Sequence, residues 1–458
     1  MRDLIADLSA AVGQANVLTE PDVLAGYATD WTRRYRGAAT CVVRPASTDE
    51  AAAVVLACAE RGLAIVPQGG NTGLVGGSVP APERPAPVIV STQRLSELGP
   101  VDSRSSQVTA GAGVTIARLA AHAAREGLRY AVDLASRDSA TVGGTIATNA
   151  GGMRTVRYGP TRSQLAGVSA VLADGSVVSD LSGLIAGSTG YDLAHLLTGS
   201  EGTLAVITAA RLILRPAEPA AAVLMAGVDG ISHAAVLCAD LRADLPGLLA
   251  AEYIDAAGLD LVCQVTGLAP PISPARPGYL LAEVSAGPGA APSDFDPELL
   301  ARAALPADTV VALDERGRAA LWAYRERITD SIATLGIPHK MDVAIPVGQL
   351  GSFTAALPDA VLAMPGSPAV IVFGHIGVGN LHVNVLGPDP DDTTVDAAVA
   401  KLAAAHGGSV AAEHGVGRAK VAWLGWTRSP AELAAMRAIK SALDPAGLLN
   451  PGVLLPPA

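Results

Sequence analysis

The chain has 458 residues, half of them apolar and only 16% charged, which excludes an intrinsically disordered protein and asks for about two or three cores. A net charge of −11 leaves no basic stripe to neutralise phosphates, which excludes nucleic acid as a partner. Four scattered cysteines, Cys41, Cys58, Cys238 and Cys263, form no C-x-x-C pair; this argues against an iron–sulfur cluster or thiolate zinc site and fits a reduced, cytoplasmic compartment.

The amino-terminal "MRDLIADLSAAVGQ" carries acids where a secretory signal has a basic and then an apolar run, and its apolar spacing predicts a short helix ending at Gly13. "TCVVRP" reads as a strand. "STDEAAAVVLACAERG" reads as a helix with Ser47 and Glu50 as a capping box and Gly62 as the stop, and "LAIVP" as the next strand, completing a βαβ unit. "PVIVST", "SQVTAGAGVT", a helix over about 116–126 and "GVSAVLADGSVV" follow, the last with a hairpin signature at Asp174-Gly175. Pro216 and Pro219 break the pattern, and a second domain alternates strands ("AVLMAGV", "GYLLAEVS", "AVIVFGH", "LHVNVLG") with helices. The tail predicts a helix stopping at Pro445. The longest uncharged stretch, about 360–388, is interrupted by prolines, glycines and histidines and does not read as a membrane span.

Three glycine clusters punctuate the first half. "VPQGGNTGLVGGSVP" follows a strand as a nucleotide loop does, but it is not G-x-G-x-x-G, and the proline-rich run after it cannot open a helix. It is either a long turn or a nest whose glycine amides, with Asn71 and Thr72, converge on phosphates. "DSATVGGTIATNAGGMRTVRYG" is small, polar and nearly free of charge up to Arg154, suited to close approach by a flat ring with Thr148 and Asn149 at its edge. "LTGSEGTLAVIT" sets Gly199, Ser200 and Gly202 beside a strand.

In the second half, "GHIGVGNLH" places His375 and His382 seven positions apart. On a straight strand these side chains point to opposite faces, so they are either separate core histidines or ligands brought together by a bend at Gly377 and Gly379. "AAEHGVGRAK" adds Glu413 beside His414, and two imidazoles with one carboxylate make a three-ligand site for zinc or a similar divalent ion. Arg325 and Thr329, i and i+4, are expected to share a face of one helix, with Lys340 just past it and before an apolar strand.

In their order and spacing, the three clusters and the "NPGVLLP" tail resemble the FAD-binding flavoproteins of the vanillyl-alcohol oxidase/p-cresol methylhydroxylase (PCMH) type, most of all the D-2-hydroxyacid dehydrogenase branch with its D-2-hydroxyglutarate and D-lactate dehydrogenases. The resemblance implies an α+β chain. It would comprise a PCMH-type FAD-binding domain of two α/β subdomains over 1–217, an α+β substrate or cap domain with an antiparallel sheet over 218–429, and a segment over 430–458 packing back on the FAD domain. The implied FAD contacts from the first cluster are Pro67, Gln68, Gly69, Gly70, Asn71, Thr72, Gly73, Gly76, Gly77 and Ser78. The second region supplies Asp133, Ser139, Thr141, Gly143, Gly144, Ala147, Thr148, Asn149, Gly151, Gly152, Tyr158 and Gly159; the third supplies Glu201, Gly202, Val206 and Ile207, and the tail Asn450. The first loop offers neither His nor Cys, so the flavin is expected to be non-covalent.

The same resemblance assigns His375, His382 and Glu413 as ligands of a divalent ion (Zn²⁺, or Mn²⁺ or Co²⁺) and His414 as the base. The family motif H-x-G-D-G-N-x-H has Val378 here in place of its Asp. "RERIT…KMD" resembles the run by which D-2-hydroxyglutarate dehydrogenases hold the distal carboxylate, which points to Arg325, Thr329 and Lys340, with Asn384 also reaching the substrate. The implied reaction is oxidation of a D-2-hydroxy acid to the 2-oxo acid by hydride transfer to flavin, with D-2-hydroxyglutarate favoured and D-lactate or glycolate as alternatives. A flavin-free metallohydrolase and a flavin carrier without turnover are readings from other classes. Implied partners are a small hydroxy acid, an electron acceptor such as an electron-transfer flavoprotein or a quinone, and a second copy in a homodimer.

Overall fold

The computed structural model describes residues 2–82, 85–362 and 364–456. Two compact units divide the chain: the first is Met1–Gly151, Gly159–Arg215 and Glu413–Ala458, the second Gly152–Tyr158 and Pro216–Ala412. The break expected near Pro216 is therefore present. The last stretch of the first unit starts at Glu413, ahead of the expected 430, and seven residues of the second glycine cluster belong to the second unit.

The first unit holds two four-stranded sheets. One contains β1 (Val17–Leu18), β2 (Cys41–Val43), β3 (Ile65–Gln68) and β4 (Val88–Ser91), in the order β1-β2-β4-β3. The βαβ expectation holds with a refinement: β2 and β3 are each parallel to β4, which comes last in sequence but sits between them. Helices α1 (Arg2–Val12) and α2 (Thr48–Ala59) bury Leu4, Leu8, Val54 and Cys58 against Val88 and Val90. At the start of α2, Ser47 Oγ accepts the Glu50 amide, while the Glu50 carboxylate accepts the amide of Ala46. That satisfies two amides at the helix start, one residue away from an ideal capping box.

The other sheet is antiparallel. Its strands β5 (Gln107–Gly111), β6 (Leu165–Val171), β7 (Val177–Asp180) and β8 (Val206–Ile213) run in the order β5-β8-β6-β7. The hairpin between β6 and β7 turns through Gly175 at φ +82°. Helices α3 (Ile116–Ala124) and α4 (Val142–Thr148) pack Leu119, Val142 and Ile146 against Ala110, Val168 and Leu212.

The second unit is built on one seven-stranded antiparallel sheet. Its elements are β9 (Ala220–Val228), α5 (Ile231–Asp244), β10 (Leu248–Asp255), α6 (Ala256–Thr266), β11 (Gly278–Ser285), β12 (Val310–Ala312), α7 (Glu315–Glu326), α8 (Ile328–Ala333), β13 (His339–Ala344), α9 (Leu350–Leu362), β14 (Ala369–His375), β15 (Asn380–Leu386) and α10 (Thr393–Ala405). The strand order is β12-β9-β11-β10-β14-β15-β13. Alternate residues go to opposite faces. Met341, Val343, Leu381, Val383 and Val385 join Leu237 of α5, Phe353 of α9 and Val399 of α10 in one core. Ile371 and Phe373 join Val262 of α6, Tyr324 of α7 and Ile328 of α8 in the other.

Candidate active site

The second face of the seven-stranded sheet is apolar over part of its width and polar over the rest. Register pairs Phe373 with His382, His382 with Asp342, Asn384 with Lys340 and Glu252 with His375. Directly opposed residues share a face, as do i and i+2 on one strand. His375, His382, Asn384, Lys340, Asp342 and Glu252 therefore stand together on one buried surface.

The two histidines converge, and a complete reversal of the chain brings them together rather than a bend within one strand. His375 ends β14, a turn spans Ile376–Val378, and His382 lies in the returning strand β15. Their ring centroids are 5.6 Å apart at an interplanar angle of 83°. Gly379 turns the chain at φ +71°, and a Cβ there would lie 2.1 Å from the Ile345 carbonyl oxygen. Val378, where the family has Asp, stands at the tip of this turn and is 39% exposed.

His375 Nδ1 lies 2.5 Å from Glu252 Oε1. A carboxylate only accepts, so Nδ1 carries a proton, which leaves Nε2 as the one ring nitrogen able to ligate a metal. Glu252 Oε2 accepts from Arg325 Nε at 2.7 Å, and the guanidinium lies 4.6 Å from the centroid of the Phe373 ring. Burial pushes the Glu252 carboxyl up, but the charges and hydrogen bonds of His375 and Arg325 outweigh it and hold it below its ordinary value. Asp342 Oδ2 accepts the amide of Ala412 at 3.1 Å, and its Oδ1 lies 3.8 Å from His382 Nδ1. Asn384 Nδ2 donates to the His382 carbonyl at 3.3 Å.

Arg325 and Thr329 do not share one helix. α7 ends at Glu326, Arg327 caps it at φ −86°, ψ −4°, and α8 begins at Ile328. The break leaves Thr329 exposed while Arg325 packs inward. Lys340, expected ahead of the strand, is the second residue of β13. Sequence reading missed Glu252, Asp342 and Glu283. Their signal was available: "LLAAEYI", "KMDVA" and "YLLAEVS" each carry one acid inside a largely apolar strand, where an unpaired carboxylate is too costly to bury. Glu283 is held by Arg154 at 2.9 Å and by the Trp322 indole at 2.9 Å.

In the first unit the three glycine clusters meet. A Cβ on Gly69 would lie 2.4 Å from Thr141 Oγ1, and one on Gly70 1.8 Å from the Ser139 carbonyl. A Cβ on Gly202 would lie 3.1 Å from Pro67 Cγ. The Glu201 amide donates to the Ala147 carbonyl at 2.8 Å, and Asn450 Nδ2 donates to the carbonyls of Gly77 and Glu201 at 2.8 and 2.7 Å.

Several side chains expected at the cofactor brace the loops. Gln68 donates to the carbonyls of Tyr27 and Ser78; Asn71 donates to the Thr29 carbonyl and accepts from Ser78 Oγ. Thr148 Oγ1 donates to the Gly144 carbonyl, Asn149 Oδ1 accepts the Arg162 amide, and Asp133 accepts from Arg137. Thr141 Oγ1 caps α4 by accepting the Gly144 amide. Val206 and Ile207 open β8, whereas Gly152 and Tyr158 belong to the second unit.

The loop's own backbone is what remains for a ligand. Among the described residues, no amide from Gly69 to Gly77 donates to a main-chain carbonyl. The buried Asn450 Oδ1 likewise has no hydrogen-bond partner. Unpaired amides on a glycine-lined loop fit a pyrophosphate, and an unpaired buried acceptor fits a ring or ribose donor, so these residues suit FAD. The carboxylate of Glu201 accepts the amides of Val416 and Gly417, each at 2.7 Å, and so fixes the loop that carries His414. Burial pushes the Glu201 carboxyl above its ordinary value despite those amides and nearby Lys420. His414 Nε2 lies 3.5 Å from Glu413 Oε1.

Residues 39–180 match the family "FAD binding domain", and residues 217–454 match "FAD linked oxidases, C-terminal domain". The chain is 37% identical to the mitochondrial D-2-hydroxyglutarate dehydrogenase of Bos taurus, over 98% of this chain and 83% of that one. It is 36% identical to the D-2-hydroxyglutarate dehydrogenase of Xanthomonas citri pv. viticola, over 98% and 96%. This chain belongs to the FAD-linked D-2-hydroxyacid dehydrogenases. Its fold is that of the PCMH-type flavoproteins. Substrate-bound p-cresol methylhydroxylase matches with a TM-score of 0.75 at 16% identity, over 98% of this chain and 96% of that one. The 4-ethylphenol oxidase of Gulosibacter chungangensis matches at 0.73 and 18%, with the same coverage. The chain is thus an FAD-dependent dehydrogenase that oxidises D-2-hydroxy acids. None of the described helices is long and apolar enough to cross a membrane.

Proposed function

We propose that the substrate is a D-2-hydroxy diacid, D-2-hydroxyglutarate, and that a divalent ion, zinc first, assists its oxidation. The observation that carries this reading is the guanidinium of Arg325, fixed on the sheet face that bears His375 and His382. Relatives at 36–37% identity named for that diacid support it.

His375, His382 and Glu413 would hold the ion, a borderline donor set of two imidazoles and a carboxylate that leaves positions for substrate. A bound FAD would supply the hydride acceptor, and an ion held by these three residues would supply a Lewis acid that favours loss of the substrate hydroxyl proton. His414 removes the hydroxyl proton at its imidazole. Arg325 and Lys340 face the distal carboxylate, a planar fork and an ammonium, with Asn384 as a further substrate contact. Arg154 pairs with Glu283, which also accepts from the Trp322 indole, and Glu252 is shared between Arg325 and His375, so neither strand glutamate is an unpaired charge beside the substrate.

Anaerobic flavin bleaching with D- and L-2-hydroxy acids tests the reading. D-2-hydroxyglutarate should bleach the flavin at lower concentration than D-lactate or glycolate, and Arg325→Ala should erase that preference. Faster bleaching by D-lactate in the wild type would replace the diacid with a monoacid. For the electron acceptor, we propose an electron-transfer flavoprotein or a quinone, to be separated by turnover with each. A cytoplasmic location accords with four free cysteines, and cell fractionation tests it.

A further inference from the structure

Glu252 is an unusual residue to find in the middle of a sheet. It is fully buried, flanked on its strand by alanines and Tyr253, and nothing in packing requires a carboxylate there. Its two oxygens serve different partners: Oε1 takes the Nδ1 proton of His375 and Oε2 the Nε proton of Arg325. One carboxylate thus links the residue assigned to the ion with the residue assigned to the substrate's far end.

The geometry leaves Arg325 little freedom. Phe373 packs its ring against the guanidinium, and Glu252 occupies its Nε position. The terminal Nη1–Nη2 edge is the part left to face an anion, and two parallel N–H donors on that edge match a carboxylate fork. On the other side, a hydrogen bond from Nδ1 to a carboxylate sets ring orientation and raises the basicity of Nε2.

We propose that Glu252 is a positioning residue that couples the two functions, setting the preference for a diacid through Arg325 and the affinity for the ion through His375. This rests on the assignment of Arg325 to substrate and His375 to metal. A glutamine cannot replace it, because its one acceptor oxygen serves only one of two donors and its amide N–H₂ confronts the other.

The test uses the full-length holoenzyme with Glu252→Gln and Glu252→Asp. For Glu252→Gln, the ratio of kcat/KM for D-2-hydroxyglutarate over D-lactate should fall about tenfold, through KM for the diacid. Zn²⁺ affinity, read by chelator competition, should fall by roughly tenfold to a hundredfold. Flavin content should be unchanged. Glu252→Asp, which keeps both acceptors, should recover part of each loss. If Glu252→Gln does not fold, Glu252→Asp carries the same readouts with smaller losses. If the substrate ratio and the zinc affinity both stay at wild-type values in the folded variant, the proposal is overturned; loss of only one removes the coupling. If Arg325→Ala itself leaves the substrate ratio unchanged, the diacid reading falls instead, and the zinc titration still decides the His375 half.

Discussion

At His414 the prediction is a separation of chemistry from binding. With the proposed base removed, His414→Ala should lower kcat by about 10²–10⁴-fold while flavin absorbance per chain stays at the wild-type level. Glu201, by contrast, acts through the backbone, holding the amides of Val416 and Gly417. Glu413 and His414 could be picked out as candidates from local sequence, because two chemically capable side chains stand adjacent just ahead of Gly415. Glu252 and Arg325 are 73 positions apart, and no local pattern could have joined them. The same holds for Asn71 and Gln68. Their residue types suit phosphate binding, but only the fold reveals that their amides are spent on Thr29, Tyr27 and Ser78.

Among the elements, the β14–β15 hairpin carries the site, and its turn sets its geometry. Gly379→Ala should cost about 1–3 kcal/mol from the positive φ alone, with the close approach to Ile345 adding to it. Thermal unfolding and zinc titration should both record the loss. Asp255 anchors the same hairpin from β10, accepting the amide of Val372 at 2.6 Å and that of Gly258 at 2.8 Å. Burial pushes its carboxyl up to about 6, from an ordinary value near 3.8. A carboxyl raised by folding contributes stability that is full below its unfolded pKa and is lost as pH rises through the folded one. Asp255→Asn should therefore gain on the wild type as pH rises from 4 to 7, by up to about 3 kcal/mol for a shift of about 2 units, measured by denaturant unfolding across that range. Strand and helix periodicity made most of these elements readable in advance. The break at Arg327 was not, since "YRERITDS" has no glycine or proline to announce it.

At the scale of the whole chain, most residues expected at the cofactor belong to the first unit, Gly152 and Tyr158 excepted, and His375 and His382 belong to the second. Chelator should therefore abolish D-2-hydroxyglutarate oxidation without releasing flavin; activity that survives complete metal removal would eliminate the metal-assisted reading. Domain order was legible from Pro216 and Pro219, but the return of the chain at Glu413 was not, because that crossing has no proline or charge run to mark it. That return has a consequence for synthesis. Strand β3 receives Leu449 as a parallel neighbour, Lys440 donates to the Thr203 carbonyl, and Asn450 ties Gly77 to Glu201. On the ribosome, the first unit must therefore wait, its loops open, while about 200 residues of the second are made between its parts. A nascent chain stalled before residue 413 would hold a finished second unit and a first unit still unable to close.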